Sequence, residues 1–130
     1  MPRRDRALRL LVTPDGHRYR WRVGHRHDPS PRGGPGCAET LSLCPEGRSN
    51  RLRLVFRPGP DRLVPDGWTP SGSVGTGGRW LNLHEPGTVR ALLEAALARG
   101  WPPGRPGVVE VDGWELFDAA AGPAPEPTAG

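Results

Sequence analysis

At 130 residues the chain suits one domain, and one of this size can build a core without disulfide staples. Its 19 glycines and 17 prolines are about twice ordinary usage, so turns and long loops must take up much of it. The formal charge of +4 rests on arginine alone, because lysine is absent, as are isoleucine and glutamine. A GC-rich coding bias produces that triple absence, so the arginine richness is partly genomic. The charge is also uneven: arginines far outnumber acids in residues 1–57, and acids outnumber arginines in residues 58–130. Such a basic pole attracts nucleic acid or an acidic protein surface. The apolar run Leu10-Leu11-Val12 is too short for a signal-peptide core or a membrane span. Two cysteines with no export signal predict a reduced, cytoplasmic setting.

In chain order, residues 1–6 read as a frayed end. Ala7 to Thr13 alternates, with Leu8, Leu10 and Val12 on one side and Arg9, Leu11 and Thr13 on the other; Arg9 is assigned to the outward side. Pro14-Asp15-Gly16 makes a turn, since proline presets the first angle and glycine accepts positive φ. His17 to Val23 returns as the second arm of a β-hairpin. Tyr19, Trp21 and Val23 should face the core, with Arg18, Arg20 and Arg22 outward. Residues 24–36 are too rich in glycine and proline for regular structure. Ala38 to Leu43 and Arg51 to Arg57 are strands, the latter with Leu52, Leu54 and Phe56 inward. Residues 58–79 are read as irregular, and Trp80 to His84 as a short strand.

The clearest helix runs from about Thr88 to Arg99. Val89, Leu92, Leu93, Ala96 and Leu97 recur at helical spacing on one face. Pro86 suits a first turn, and Thr88 is the expected cap. Gly100 fits a left-handed stop, with Trp101 folding back on the last turn. Val108 to Phe117 is read as a last strand or hairpin, with a turn or bulge at Asp112-Gly113. These elements predict an α+β domain over residues 7–117. Its antiparallel sheet would have about five or six strands, with one amphipathic helix packed on one face. Residues 118–130 read as a disordered tail rich in proline, alanine and glycine. One helix covers only one sheet face, so the other must meet water or a partner.

Two motifs are familiar. They are Tyr19-Arg20-Trp21-Arg22-Val23 and the helix end Ala96-Leu97-Ala98-Arg99-Gly100-Trp101. The chain resembles, over roughly residues 17–112, a group of small uncharacterised bacterial proteins with a Y-x-W-x-V strand and an A-L-x-x-G-W helix end. The resemblance implies a fold and no function, because both motifs are core and capping features.

Candidate chemistry is sparse. His25, His27 and Cys37 are zinc-type ligands, but their spacing with Cys44 and His84 fits no standard site. If residues 37–44 form one strand, seven steps separate the two cysteines by about 23 Å. They could then share neither a zinc nor a disulfide. No metal and no cofactor is therefore expected. The glycine-rich run Ser71 to Gly78 lacks the residues of a phosphate-binding loop and reads as a connector. No nucleophile or acid pair sits in a recognisable context, so no enzyme is expected. The strongest feature is a basic face made of Arg18, Arg20, Arg22, Arg51, Arg53 and Arg57. Trp68 and Trp114, each after Asp-Gly, are candidate aromatic anchors of an interface. The sequence thus favours a non-enzymatic adaptor module that docks an acidic protein partner through this face and its loops. The alternative is a nucleic-acid-binding accessory protein using the same arginines. Single-strand binding would call for exposed aromatics beside them, whereas Tyr19 and Trp21 are assigned to the core.

Overall fold

The computed structural model describes residues 8–27, 37–65 and 71–121. In chain order the elements are β1 (Arg9–Val12), β2 (Arg18–His27), β3 (Cys37–Pro45), β4 (Arg51–Phe56), β5 (Arg62–Leu63), β6 (Ser73–Thr76), β7 (Arg79–Asn82), α1 (Pro86–Ala98), β8 (Val108–Asp112) and α2 (Trp114–Ala121). The larger sheet has the order β1-β2-β3-β4-β8, and the smaller has β5-β6-β7. No described helix is long and apolar enough to cross a membrane.

Alternation sets the inner face of the larger sheet. Tyr19, Trp21 and Val23 of β2 are buried, as are Leu41 and Leu43 of β3 and Leu52, Leu54 and Phe56 of β4. Onto this face α1 packs Val89, Leu92, Leu93 and Ala96, all buried, with Leu97 partly so. Pro86 opens the helix, but the capping position is Glu85, three residues before the expected Thr88. The helix ends as its sequence dictates. Gly100 takes φ 100°, its N–H donates to the Leu97 carbonyl at 3.0 Å, and the Trp101 N–H donates to the Ala96 carbonyl at 3.0 Å. This double closure satisfies carbonyls that a helix end otherwise leaves open, and it seats Trp101 in the core.

The α+β class holds, but the architecture is richer than one antiparallel sheet and one helix. First, β8 pairs β4 in parallel. The chain between them crosses over through the smaller sheet and α1, the kind of long connection a parallel pair needs. Second, Gly113 begins no hairpin. Asp112 Oδ1 accepts the Trp114 N–H at 3.0 Å, and the chain turns into α2. The expected strand over residues 108–117 is thus a strand followed by a helix. That helix continues through Ala121, into the residues assigned to the tail; residues 122–130 lie outside the described ones.

Third, residues 58–79 are not wholly irregular, because β5 and β6 fall within them. The hairpin β6–β7 closes through Gly77 and Gly78, both at positive φ (63° and 78°), as a primed two-residue turn requires. Gly75 lies opposite Trp80, and a Cβ there would sit 2.6 Å from the indole ring. The glycine run is therefore strand and turn rather than connector. Trp80, which opens the short strand expected from the sequence, is 51% exposed, its ring lying against Gly75. Fourth, β2 continues through Gly24 to His27, paired with β3 as far as Cys37, so residues 24–27 are strand rather than loop.

The smaller sheet contributes Val74 and Leu81 to the same apolar cluster that α1 and the larger sheet form. α2 adds Trp114, Leu116 and Phe117, with Trp114 edge-on to Phe56 at 5.2 Å. Among the described residues, the smaller sheet, α1 and α2 all join the apolar cluster on the inner face of the larger sheet.

Candidate functional site

The outer face of the larger sheet carries the arginines where alternation places them. Arg20 pairs Cys44 across β2–β3, Arg22 pairs Ser42, and Ser42 in turn pairs Arg53 on β4. Arg51 and Arg53 stand opposite Val108 and Glu110 of β8. All of these side chains point away from the core, and Arg57 follows β4 and is exposed.

Ion pairs divide the face into two parts. On one, Arg26 donates to Glu110 Oε2 at 3.0 Å, with Arg53 at 3.6 Å and Arg57 at 3.7 Å from the same carboxylate. Arg26 is on β2 and Glu110 on β8, so this bridge passes over β3 and β4. The Arg26 hydrogen bond, reinforced by Arg57 and Arg53, holds the Glu110 carboxyl below the usual glutamate range. On the other part, Arg18 and Arg20 share Glu46, at 2.6 and 2.8 Å. The Arg18 hydrogen bond leads in keeping Glu46 ionised to lower pH than usual. Arg51 donates Nε–H to Cys44 Sγ at 3.3 Å, and Arg22 has no ion pair among the described residues.

The first strand differs from its expected orientation. Arg9 stands opposite Trp21 and Leu11 opposite Tyr19, so Arg9 and Leu11 point inward. Leu11 is buried, and the Arg9 guanidinium lies 4.6 Å above the Trp21 ring. Arg9 therefore does not belong to the outer face. Leu10 and Val12 do, opposite Arg20 and Arg18. Leu10 and Val12 of this edge strand are 40% and 49% exposed, and Leu8 just before it 54%. The run Leu8-Arg9-Leu10-Leu11-Val12 has apolar residues on both faces, so period-two alternation alone leaves its orientation open. The register of the hairpin decides it: the Thr13 N–H donates to the His17 carbonyl at 2.9 Å, and the Thr13 hydroxyl to Asp15.

The tryptophan anchors fare differently. Trp114 is not an exposed anchor. It is buried at the start of α2, donates its indole N–H to the Arg57 carbonyl at 2.8 Å, and packs between Phe56 and Phe117. Trp68 lies outside the described residues.

Of the metal candidates, His25 Nδ1 lies 2.8 Å from Glu39 Oε1. Glu39 is 1% exposed, and its second oxygen accepts the Gly72 N–H at 2.7 Å. His27 is placed by its backbone, opposite Cys37. Cys37 and Cys44 stand at opposite ends of β3, on opposite faces, and neither is in a disulfide. Among the described residues, no three His, Cys, Asp or Glu side chains gather in a way that could hold a metal ion.

Sequence reasoning therefore placed the six arginines and missed Arg26, the bridging Glu110 and the exposed aliphatic row of β1. Glu110 had a readable signal, its alternation with Val109 and Val111; its pairing with Arg26 across the sheet had none. No protein-family model, curated protein or solved structure matches this chain.

Proposed function

We propose that the protein is a non-enzymatic binding module. In this reading the outer face of the larger sheet, at its β1 edge, docks an extended acidic segment of a partner protein. The carrying observation is the aliphatic pair Leu10 and Val12, exposed on an edge strand and in register beside Arg20 and Arg18, with Leu8 exposed just before the strand. Isolated exposed aliphatics are ordinary on a soluble protein, but a row on a sheet edge is a hazard that proteins usually blunt with charge or cover. Beside this row, β1 pairs only β2 among the described residues, so its other backbone edge offers N–H and C=O groups to an added strand. A strand that adds there finds main-chain partners, aliphatic contacts and, one strand further in, the guanidiniums of Arg18 and Arg20, whose donors not engaged by Glu46 suit carboxylates.

The arginines alone would serve nucleic acid as well. The protein reading is favoured because aliphatic side chains, not aromatic ones, accompany them. The face's nearest aromatics, Tyr19 and Trp21, are buried, and sequence-tolerant binding of single strands relies on exposed aromatic platforms.

The test is selection from a displayed random-peptide library. The expected enrichment is of extended sequences that alternate Asp or Glu with aliphatic residues. Their binding should fall at least tenfold, about 1.4 kcal/mol, both in Leu10→Ser/Val12→Ser and in Arg18→Ala/Arg20→Ala. A parallel titration uses duplex and single-stranded DNA at about 0.15 M salt. Submicromolar DNA binding, with log affinity falling against log salt at a slope near −3 for three or four phosphate contacts, and loss of that binding in the arginine variant, would replace the proposal with the nucleic-acid function.

A further inference from the structure

A second feature lies where the two sheets meet. Beyond the start of β1, the β2 edge opens into a cleft of about 310 Å³ lined by Arg9, Trp21, Arg22, His25, Ser71 and His84 among others. Among the described residues, its lining includes no aspartate or glutamate. A larger cleft, of about 790 Å³, lies at the far end of β2, but three acids line it, Asp15, Glu46 and Glu94, with Arg18 on Glu46 and His17 on Asp15. The smaller cleft is different in kind because its two guanidiniums, Arg9 and Arg22, have no acid partner among the described residues.

The cleft is also built rather than merely open. Arg9 donates Nη1–H to the His84 carbonyl at 2.7 Å and stacks on the Trp21 ring, so its planar fork is held in place with further donors to spare. The His84 ring sits against the backbone of Gly72, where an added Cβ would come 2.8 Å from Nε2. The Gly72 carbonyl accepts the Leu83 N–H at 2.8 Å, and its own N–H is held by Glu39. Through its other oxygen Glu39 orients His25. One buried carboxylate thus ties both cleft walls together. The Trp21 indole N–H, buried in the wall, has no hydrogen-bond partner among the described residues. Arg22, from the outer face, borders the same concavity, so two arginines, two histidines and a serine line it, a donor-rich set.

We infer that this cleft binds the phosphate group of a small phosphorylated ligand. Two forks plus imidazoles suit the second charge and the additional oxygens of a phosphate monoester better than a single carboxylate. The volume, at the lower end of the range for small-molecule sites, suits a compact metabolite rather than a nucleic-acid strand. The inference does not rest on the docking reading: Arg22 stands on the outer face and borders the cleft, but Arg9, Ser71 and His84 take no part in that face.

The experiment is an NMR titration of the intact chain with inorganic phosphate, and separately with acetate at matched ionic strength. The signals followed are the Trp21 indole N–H and the His25 and His84 ring protons. Phosphate should shift them saturably, with a dissociation constant of about 1 mM, the weak end of ordinary affinity for so small a probe, and acetate should bind at least tenfold more weakly. Arg9→Gln should reduce phosphate affinity at least tenfold, and so should Arg22→Gln, an exposed position that gives the same reading should the first variant not fold. Arg18→Ala/Arg20→Ala should leave phosphate binding unchanged, which separates this site from the docking face. Non-saturating shifts, equal affinity for acetate, or phosphate affinity unaltered by Arg22→Gln would each overturn the inference.

Discussion

Gly113 is the junction on which β8 and α2 depend, and Gly113→Ala tests that junction directly. A Cβ at this position would stand 2.6 Å from Phe56 Cε1 and from Cε2, about 1 Å inside ordinary carbon–carbon contact. The ring has little room to withdraw, because Phe56 is 0% exposed and Trp114 stands against it edge-on at 5.2 Å. Nor is the backbone free to move: the Gly113 N–H donates to the Val55 carbonyl at 2.8 Å, and its carbonyl accepts the Leu116 N–H at 3.0 Å. The added methyl is therefore overpacking in a closed site, which costs about 1–3 kcal/mol. In a domain of this size that lowers the thermal midpoint by about 4 °C per kcal/mol. Urea unfolding of the wild type, Gly113→Ala, Phe56→Leu and the double variant makes a complete cycle. Leucine removes the ring atoms that the new methyl meets, so the alanine penalty should shrink by more than about 0.5 kcal/mol in the Phe56→Leu background. A wild-type midpoint for Gly113→Ala, or an equal penalty in both backgrounds, would refute the packing described for this junction.

Two further outcomes follow from the core and the outer face. Leu93 is fully buried in α1 over the larger sheet, so Leu93→Ala should cost about 2–5 kcal/mol in urea unfolding, and a loss under about half a kcal/mol would contradict the helix-on-sheet core. Arg26, with Arg57 and Arg53, depresses the Glu110 carboxyl below its ordinary value. The stability linked to Glu110 is then fully present above its unfolded pKa of about 4.3 and is lost as pH falls through the lower folded value. Carboxyl NMR should find the Glu110 midpoint below that of an unfolded glutamate, and Arg26→Ala should raise it; a midpoint unmoved by Arg26→Ala would show that no bridge crosses the sheet in solution.

Local patterning determined much of this protein. The period-two alternation of Tyr19, Trp21 and Val23, and of Leu52, Leu54 and Phe56, fixed which side chains enter the core. The same alternation placed the six named arginines opposite them. Helical spacing from Val89 to Leu97, with Gly100 and Trp101 after it, fixed α1 and its closure, since each signal acts within a turn or a strand. Long-range pairing was a tertiary matter. The parallel β4–β8 joint depends on where the crossover returns the chain, and the helical fate of Trp114 depends on the Asp112 cap and the pocket made by Phe56 and Phe117. In β1, apolar residues on both faces left two orientations open, and hairpin register chose the one that buries Leu11 and exposes Leu10. Glycine 72 had no readable role until the fold set His84 against it and Glu39 beside it. A cleft assembled from residues 9, 21, 25, 71 and 84 leaves no spacing in the sequence, because its walls come from separate strands of one sheet and from the loops that border the other.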